Sequence, residues 1–166
     1  MKNLWFLVLL LTSVAAFAQA PPAPIQEAMW ESLVGKWEGW TESPMGKSTD
    51  EVEFEWELQK QFFKTKVEAK SGDMNFKIVG YSTTDQKTGK ISGHWFDSMR
   101  GVYTSTETHE GNKIILHIEG GPGPEERIYE KVGNDKLVGT IKFVTPDGKT
   151  LEGRSELVRK VKAAKK

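Results

Sequence analysis

The run EVEFEWEL, from Glu51 to Leu58, constrains the fold more than any other stretch of the chain. Val52, Phe54, Trp56 and Leu58 alternate without a break with Glu51, Glu53, Glu55 and Glu57. A period of two places the two sets on opposite faces of a β-strand. One face must therefore stand in water while the other finds a core. The next segment repeats the pattern, with Phe63, Thr65, Val67 and Ala69 alternating with Lys64, Lys66, Glu68 and Lys70. Paired as a hairpin, the two strands set Glu against Lys on the outer face, each pair adding roughly a few tenths of a kcal/mol.

Similar runs follow at Met74–Ser82, Lys90–Asp97, Met99–Thr108, Lys113–Glu119, Glu126–Val132, Lys136–Val144 and Thr150–Arg159, and one precedes at Lys36–Thr41. Turn-forming clusters separate them, among them Ser71-Gly72-Asp73, Glu110-Gly111-Asn112, Gly133-Asn134-Asp135 and Pro146-Asp147-Gly148. Such residues supply the backbone reversals that join short strands. Upstream, Ile25 to Val34 allows one short helix. The pattern predicts an all-β protein: about ten antiparallel strands in an up-and-down barrel, which removes the exposed edges of an open sheet. A β-sandwich is the alternative architecture.

The N-terminus, MKNLWFLVLLLTSVAAFAQAPPAP, has one Lys, an apolar run from Leu4 to Leu11 and then small residues. That order predicts a cleaved secretory signal over residues 1–18, cut after Ala18. The apolar run is too short to span a bilayer. A cut after Ala20 would place Pro21 directly after the scissile bond. The expected mature protein is soluble, periplasmic or secreted, with a Pro-rich spacer at 19–24, a barrel domain at 25–160 and a basic tail at 161–166. Removing 18 of 166 residues leaves 148, a length suited to one core. Its 22 basic side chains (23 less Lys2) face 23 acidic ones, so bulk nucleic acid finds no electrostatic support. The chain has no Cys, so packing must hold the fold without disulfides.

Gly35-Lys36-Trp37 at the head of the first strand resembles the G-x-W signature of the lipocalin and fatty-acid-binding superfamily. Leu33–Thr41, the run IVGYSTTDQKTGKISGHWFDSMRG from Ile78 to Gly101, and Leu157-Val158-Arg159-Lys160 together resemble a bacterial lipocalin-like family of unknown function. The chain departs from that pattern at Ser82, where Asp often follows the Gly-Tyr pair. The resemblance implies a ten-stranded barrel around a cavity and brings no catalytic residues. Related haem-binding nitrobindin barrels place an axial His near their C-terminus, and Thr150–Lys166 contains none. No cofactor is expected.

In barrels of this class the Trp of G-x-W packs on an Arg of the last strand, which implies closure of one end by Gly35, Trp37 and Arg159, or Arg154 in its place. Trp40 has the opposite parity and is expected outside, under the helix or a loop. For a pocket, the most polar cluster is His94-Trp95-Phe96-Asp97 with Arg100 and Tyr103. Alternation puts His94 and Phe96 on one face and Trp95 and Asp97 on the other, so His94 and Asp97 cannot share a metal ion without a bulge. A three-histidine site would need His94, His109 and His117 together, and no metal is expected. Arg127-Ile128-Tyr129 is an Arg-x-Tyr pair of the kind that holds a carboxylate in fatty-acid-binding proteins, although those carry it on the last strand. An exposed Arg beside a core Tyr is the other possibility.

Nucleophilic catalysis has no motif to rest on. The expected function is that of an exported, non-enzymatic barrel binding a small, largely apolar ligand, with Trp56, Trp95, Tyr103, Arg127 and Tyr129 as candidate lining. Two alternatives remain: a scaffold whose Gly120–Pro124 loop binds an envelope protein partner, and an enzyme of unknown class acting through His94.

Overall fold

In the computed structural model, which describes residues 22–161 apart from Met45 and Pro122, each alternating run is a strand. A six-residue helix, α1 (Ala28–Leu33), precedes β1 (Gly35–Ser43), β2 (Gly46–Glu57), β3 (Phe62–Ser71), β4 (Met74–Thr84) and β5 (Ile91–Asp97). The second half consists of β6 (Val102–Glu110), β7 (Lys113–Glu119), β8 (Glu125–Val132), β9 (Lys136–Val144) and β10 (Thr150–Arg159). Each strand pairs antiparallel with its neighbours in sequence, and β1 closes on β10. The architecture is the ten-stranded up-and-down barrel, not the sandwich. The signal segment and most of the basic tail lie outside the described residues.

The β2–β3 hairpin shows how the alternation is used. Val52 pairs with Val67, Phe54 with Thr65 and Trp56 with Phe63, all turned inward. Outside, Lys64 bridges Glu55 (2.8 Å) and Glu57 (2.9 Å). Glu51 falls opposite Glu68, and these two are answered from elsewhere, by Lys160 (3.7 Å) and Lys77 (3.2 Å). Such exposed pairs contribute about 0–1 kcal/mol each, so the inner face decides the fold.

At two strand ends an apolar residue in phase with the alternation lies in a turn instead. Leu58 continues the apolar alternation of β2, yet Leu58, Gln59 and Lys60 all adopt positive φ (47°, 60° and 62°), and Leu58 is 69% exposed. Three successive non-glycine residues in the left-handed region are costly and need outside support. The N-terminal segment provides some of it: Ile25 N–H donates to Lys60 O (3.0 Å), and Gln61 Nε2 donates to Pro22 O (3.0 Å). The second difference is at Met99, expected to open β6. Asp97 Oδ1 accepts the N–H groups of Met99 and Gly101 (2.7 Å each), which folds Ser98–Gly101 into a turn and leaves Met99 exposed. Among the described residues no helix is long and apolar enough to cross a membrane.

Candidate functional site: the barrel lumen

Cross-strand partners share a face, so the inward set can be followed around the wall from Trp37, which is 1% exposed. Its ends differ. The loops at residues 58–61, 85–90, 111–112 and 133–135 lie at the end where α1 sits; those at 44–45, 72–73, 98–101, 120–124 and 145–149 lie at the other.

At the helix end the lumen is filled. Trp30 of α1, 1% exposed, stacks on Phe63 (centroids 5.0 Å apart) and meets Trp56 edge-on (5.6 Å), while Phe63 stacks on Phe54. Its indole N–H donates to Glu107 Oε1 (2.7 Å). Glu107 is buried and also faces His109 Nε2 (2.5 Å), whose Nδ1 is 2.9 Å from Glu27. Burial opposes charge on His109, but Glu107 and Glu27, one at each ring nitrogen, raise its pKa above the usual imidazole value. Both nitrogens then donate, and the buried carboxylate is satisfied.

Beside this plug, the Arg159 guanidinium carbon lies 4.3 Å from the Trp37 ring centroid. Arg159 donates to Ser32 O (2.6 Å) and Val34 O (2.7 Å) and pairs with Asp135 (3.2 Å); Trp37 Nε1 donates to Leu33 O (2.8 Å). Gly35 has φ of +128°, a conformation that favours glycine, and a Cβ there would press on Arg159 Nη1 at 3.1 Å. Arg154 is exposed and lies opposite Glu42, which removes it as the stacking partner.

In the other half of the lumen several inward side chains are only partly buried. Trp95 and Tyr103 are cross-strand neighbours on its wall. Arg127 pairs with Leu116, and Tyr129 with Ile114 and Gly139, which turns both inward and overturns the exposed-Arg alternative. The rings are drawn against the wall by glycines. A Cβ at Gly80 would fall 2.1 Å from the Trp95 ring, and one at Gly139 would fall 2.8 Å from that of Tyr129. Each ring therefore lies over a neighbouring glycine of the wall.

Polar groups are arranged among these rings. Trp95 Nε1 donates to Ser105 Oγ (2.8 Å). Tyr103 Oη donates to Asp97 Oδ2 (2.5 Å); that bond, with the turn N–H groups, holds the Asp97 carboxyl below its usual range against the effect of burial, and raises the Tyr103 phenol. Arg127 Nε donates to Glu125. Burial opposes the Arg127 charge, and Tyr129 and Glu125 outweigh it, so the guanidinium stays protonated. Arg127 is enclosed by the barrel wall and still keeps 29% of its side-chain surface accessible. Tyr103, Tyr129, Ile118, Ile141 and Phe143 are likewise partly accessible on the inner face. Most of them lie near the strand ends at this mouth of the barrel, the end that α1 does not cover.

The remaining sequence candidates fall elsewhere. Trp56 points inward but belongs to the aromatic plug. His94 and Phe96 are on the outer face, and Arg100 sits on the exposed β5–β6 turn with φ of 69°, so the HWFD cluster is divided by the sheet. Trp40 is outside, under Lys47 (4.9 Å from the ring centroid) and not under the helix or a loop. His117 is exposed beside Glu126, His109 is in the plug, and the three histidines do not converge. Among the described residues no group of three His, Cys, Asp or Glu side chains could hold a metal ion. Two outer hollows, around Glu38, Glu51 and Lys70 and around Lys66, Lys77 and Phe96, are shallow and open to solvent. Sequence reasoning passed over Glu107 and Glu125; their parity with Tyr103 and Arg127 was the available signal.

No family model and no curated protein sequence matches the chain. Solved structures do. An S-type phycobiliprotein lyase from Guillardia theta superposes with a TM-score of 0.55 at 13% identity, over 81% of this chain and 92% of the lyase. A de novo designed fluorescence-activating β-barrel overlaps more loosely (TM-score 0.45, 14% identity, 81% of this chain and all of the design). So does a protein of unknown function from the DUF3598 family of Nostoc punctiforme (TM-score 0.25, 9% identity, 81% and 100%). At 13% identity the likeness to the lyase extends to the barrel fold.

Proposed function

We propose that the chain is an exported, non-enzymatic barrel that holds a small, largely apolar molecule in the half of its lumen away from α1. The observation that carries this reading is Arg127: a guanidinium on the inner face that keeps 29% of its side-chain surface accessible, in a wall where the rings of Trp95 and Tyr129 lie on glycines. Interior space lined by rings and a few fixed polar groups is the usual form of a small-molecule site. Trp95, Tyr103, Arg127 and Tyr129 would contact the guest; Gly35, Trp37 and Arg159 would close the far end. The fold-level likeness to a lyase is consistent with such a role.

Native mass spectrometry of protein purified from its own source tests this. A reproducible small-molecule adduct, reduced in Trp95→Ala and retained in Trp40→Ala, is the expected outcome. Adduct-free protein in repeated preparations, with partner capture that depends on the 120–124 loop, would support the scaffold reading instead.

A further inference from the structure

Charge within the open half narrows the class of guest, on the premise that the lumen holds one. Among the described residues its inward-facing ionisable groups of fixed sign are Asp50, Asp97, Glu125 and Arg127. We propose that Glu125 acts as a charge filter, so that the lumen takes uncharged, planar molecules bearing a hydrogen-bond acceptor and turns carboxylates away.

Glu125 faces inward opposite Ile118 and Phe143, two residues before Arg127, and binds the guanidinium through Nε. The one cation of this half is therefore already neutralised. Its other carboxyl groups have no cation to balance them. Asp97 is held by Tyr103 and the turn N–H groups, and Asp50, 6% exposed, accepts from Thr41 Oγ1 (2.5 Å) and Ser48 Oγ (2.6 Å). A carboxylate guest would bring a further negative charge to a site with three acids and one base, where the low-dielectric wall magnifies repulsion. It could bind Arg127 only by displacing Glu125, which would then be left unpaired.

A neutral acceptor meets no such opposition. Arginine has five N–H donors, and Arg127 faces one carboxylate and the Tyr129 phenol, so donors are left for a carbonyl or phenol oxygen of the guest. The rings of Trp95 and Tyr129 lie against Gly80 and Gly139, which shapes a flat-walled space suited to a planar, conjugated body.

The test is a fluorescence titration with two probes of one size, 6-acetyl-2-(dimethylamino)naphthalene and 6-(dimethylamino)-2-naphthoate, against the wild-type protein, Glu125→Gln and Arg127→Met. Wild type should bind the ketone at least about tenfold more tightly than the carboxylate, a ratio of about 1.4 kcal/mol. Glu125→Gln should improve carboxylate binding about tenfold or more and leave the ketone within about threefold, since only charge is changed. Arg127→Met should weaken the ketone. A wild type that prefers the carboxylate, or a folded Glu125→Gln protein with unchanged preference, would overturn the filter while leaving a guest-binding lumen in place. If neither probe enters any of the proteins, the guest-holding lumen itself falls. The wild-type comparison stands alone should Glu125→Gln lose its circular dichroism signature.

Discussion

Under α1, the inward side chains of Trp37, Phe63, Ile91, Ile114, Leu137 and Leu157 are each at most 6% exposed, whereas at the opposite end Trp95, Tyr103, Arg127, Ile141 and Phe143 keep accessible surface. Both halves are built from the same alternation and the same closed ladder. The difference comes from a residue that is not in the sheet. Trp30 enters the lumen from the helix, stacks on Phe63 and hydrogen-bonds Glu107, and no element does the same at the other end among the described residues. A barrel wall by itself encloses a lumen; an inserted element decides which part of it becomes core.

If this contrast is right, substitutions should cost stability at one end and guest binding at the other. The largest effect is expected from Trp30→Ala and Trp37→Ala, each removing a fully buried ring, at about 3–5 kcal/mol by urea denaturation. An open-half change of similar size, Trp95→Ala, should cost clearly less, because its ring is partly accessible. Equal losses at the two ends would break the comparison.

Arg159→Ala comes next, at about 1–3 kcal/mol, since it removes the stacking on Trp37 and leaves the carbonyls of Ser32 and Val34 without their donor. Combined with Trp37→Ala it should lose less than the sum, because the two residues share one contact. Strict additivity in the four-variant cycle would show that the stacking contributes nothing.

The pH dependence sharpens the contrast further. The folded-state pKa of His109 lies above its unfolded value, so the group's stabilisation is fully present below about 6.5 and is lost as pH rises through the folded pKa. The urea midpoint of wild type should therefore fall over that alkaline window, and His109→Gln should flatten this part of the profile. An unchanged slope in His109→Gln would remove His109 from the plug's energetics. The smallest effect is expected from Tyr103→Phe. It deletes one hydroxyl at the accessible end, and its stability cost should stay within about 1 kcal/mol while probe binding weakens measurably.

Much of this was legible in the chain. The run from Val52 to Trp56, opposed by glutamates, identifies both strand and inner face, and parity within one strand puts Arg127 and Tyr129 on the same side; that Trp95 and Tyr103 share that side comes from the register between strands. Leu58 shows the limit. It is apolar and in phase with β2, yet the left-handed turn that exposes it is supported by the N-terminal segment, a contact that alternation cannot register. The part of the helix in that closure was hidden for the same reason, because Trp30 reaches Glu107 across 77 positions. As a sequence, His109 raises only the question of a three-histidine metal site, whereas its partners are Glu107 in β6 and Glu27 in the segment before α1.

The division of the lumen is tested most directly by a high-resolution crystal structure of the protein purified from its own source. The expected result is continuous density for a guest or ordered water between Trp95, Arg127 and Tyr129, with the Trp30 plug intact and dry. Rings from opposite walls in van der Waals contact across that space, with Arg127 turned out of the barrel, would contradict the claim that this half of the lumen is open.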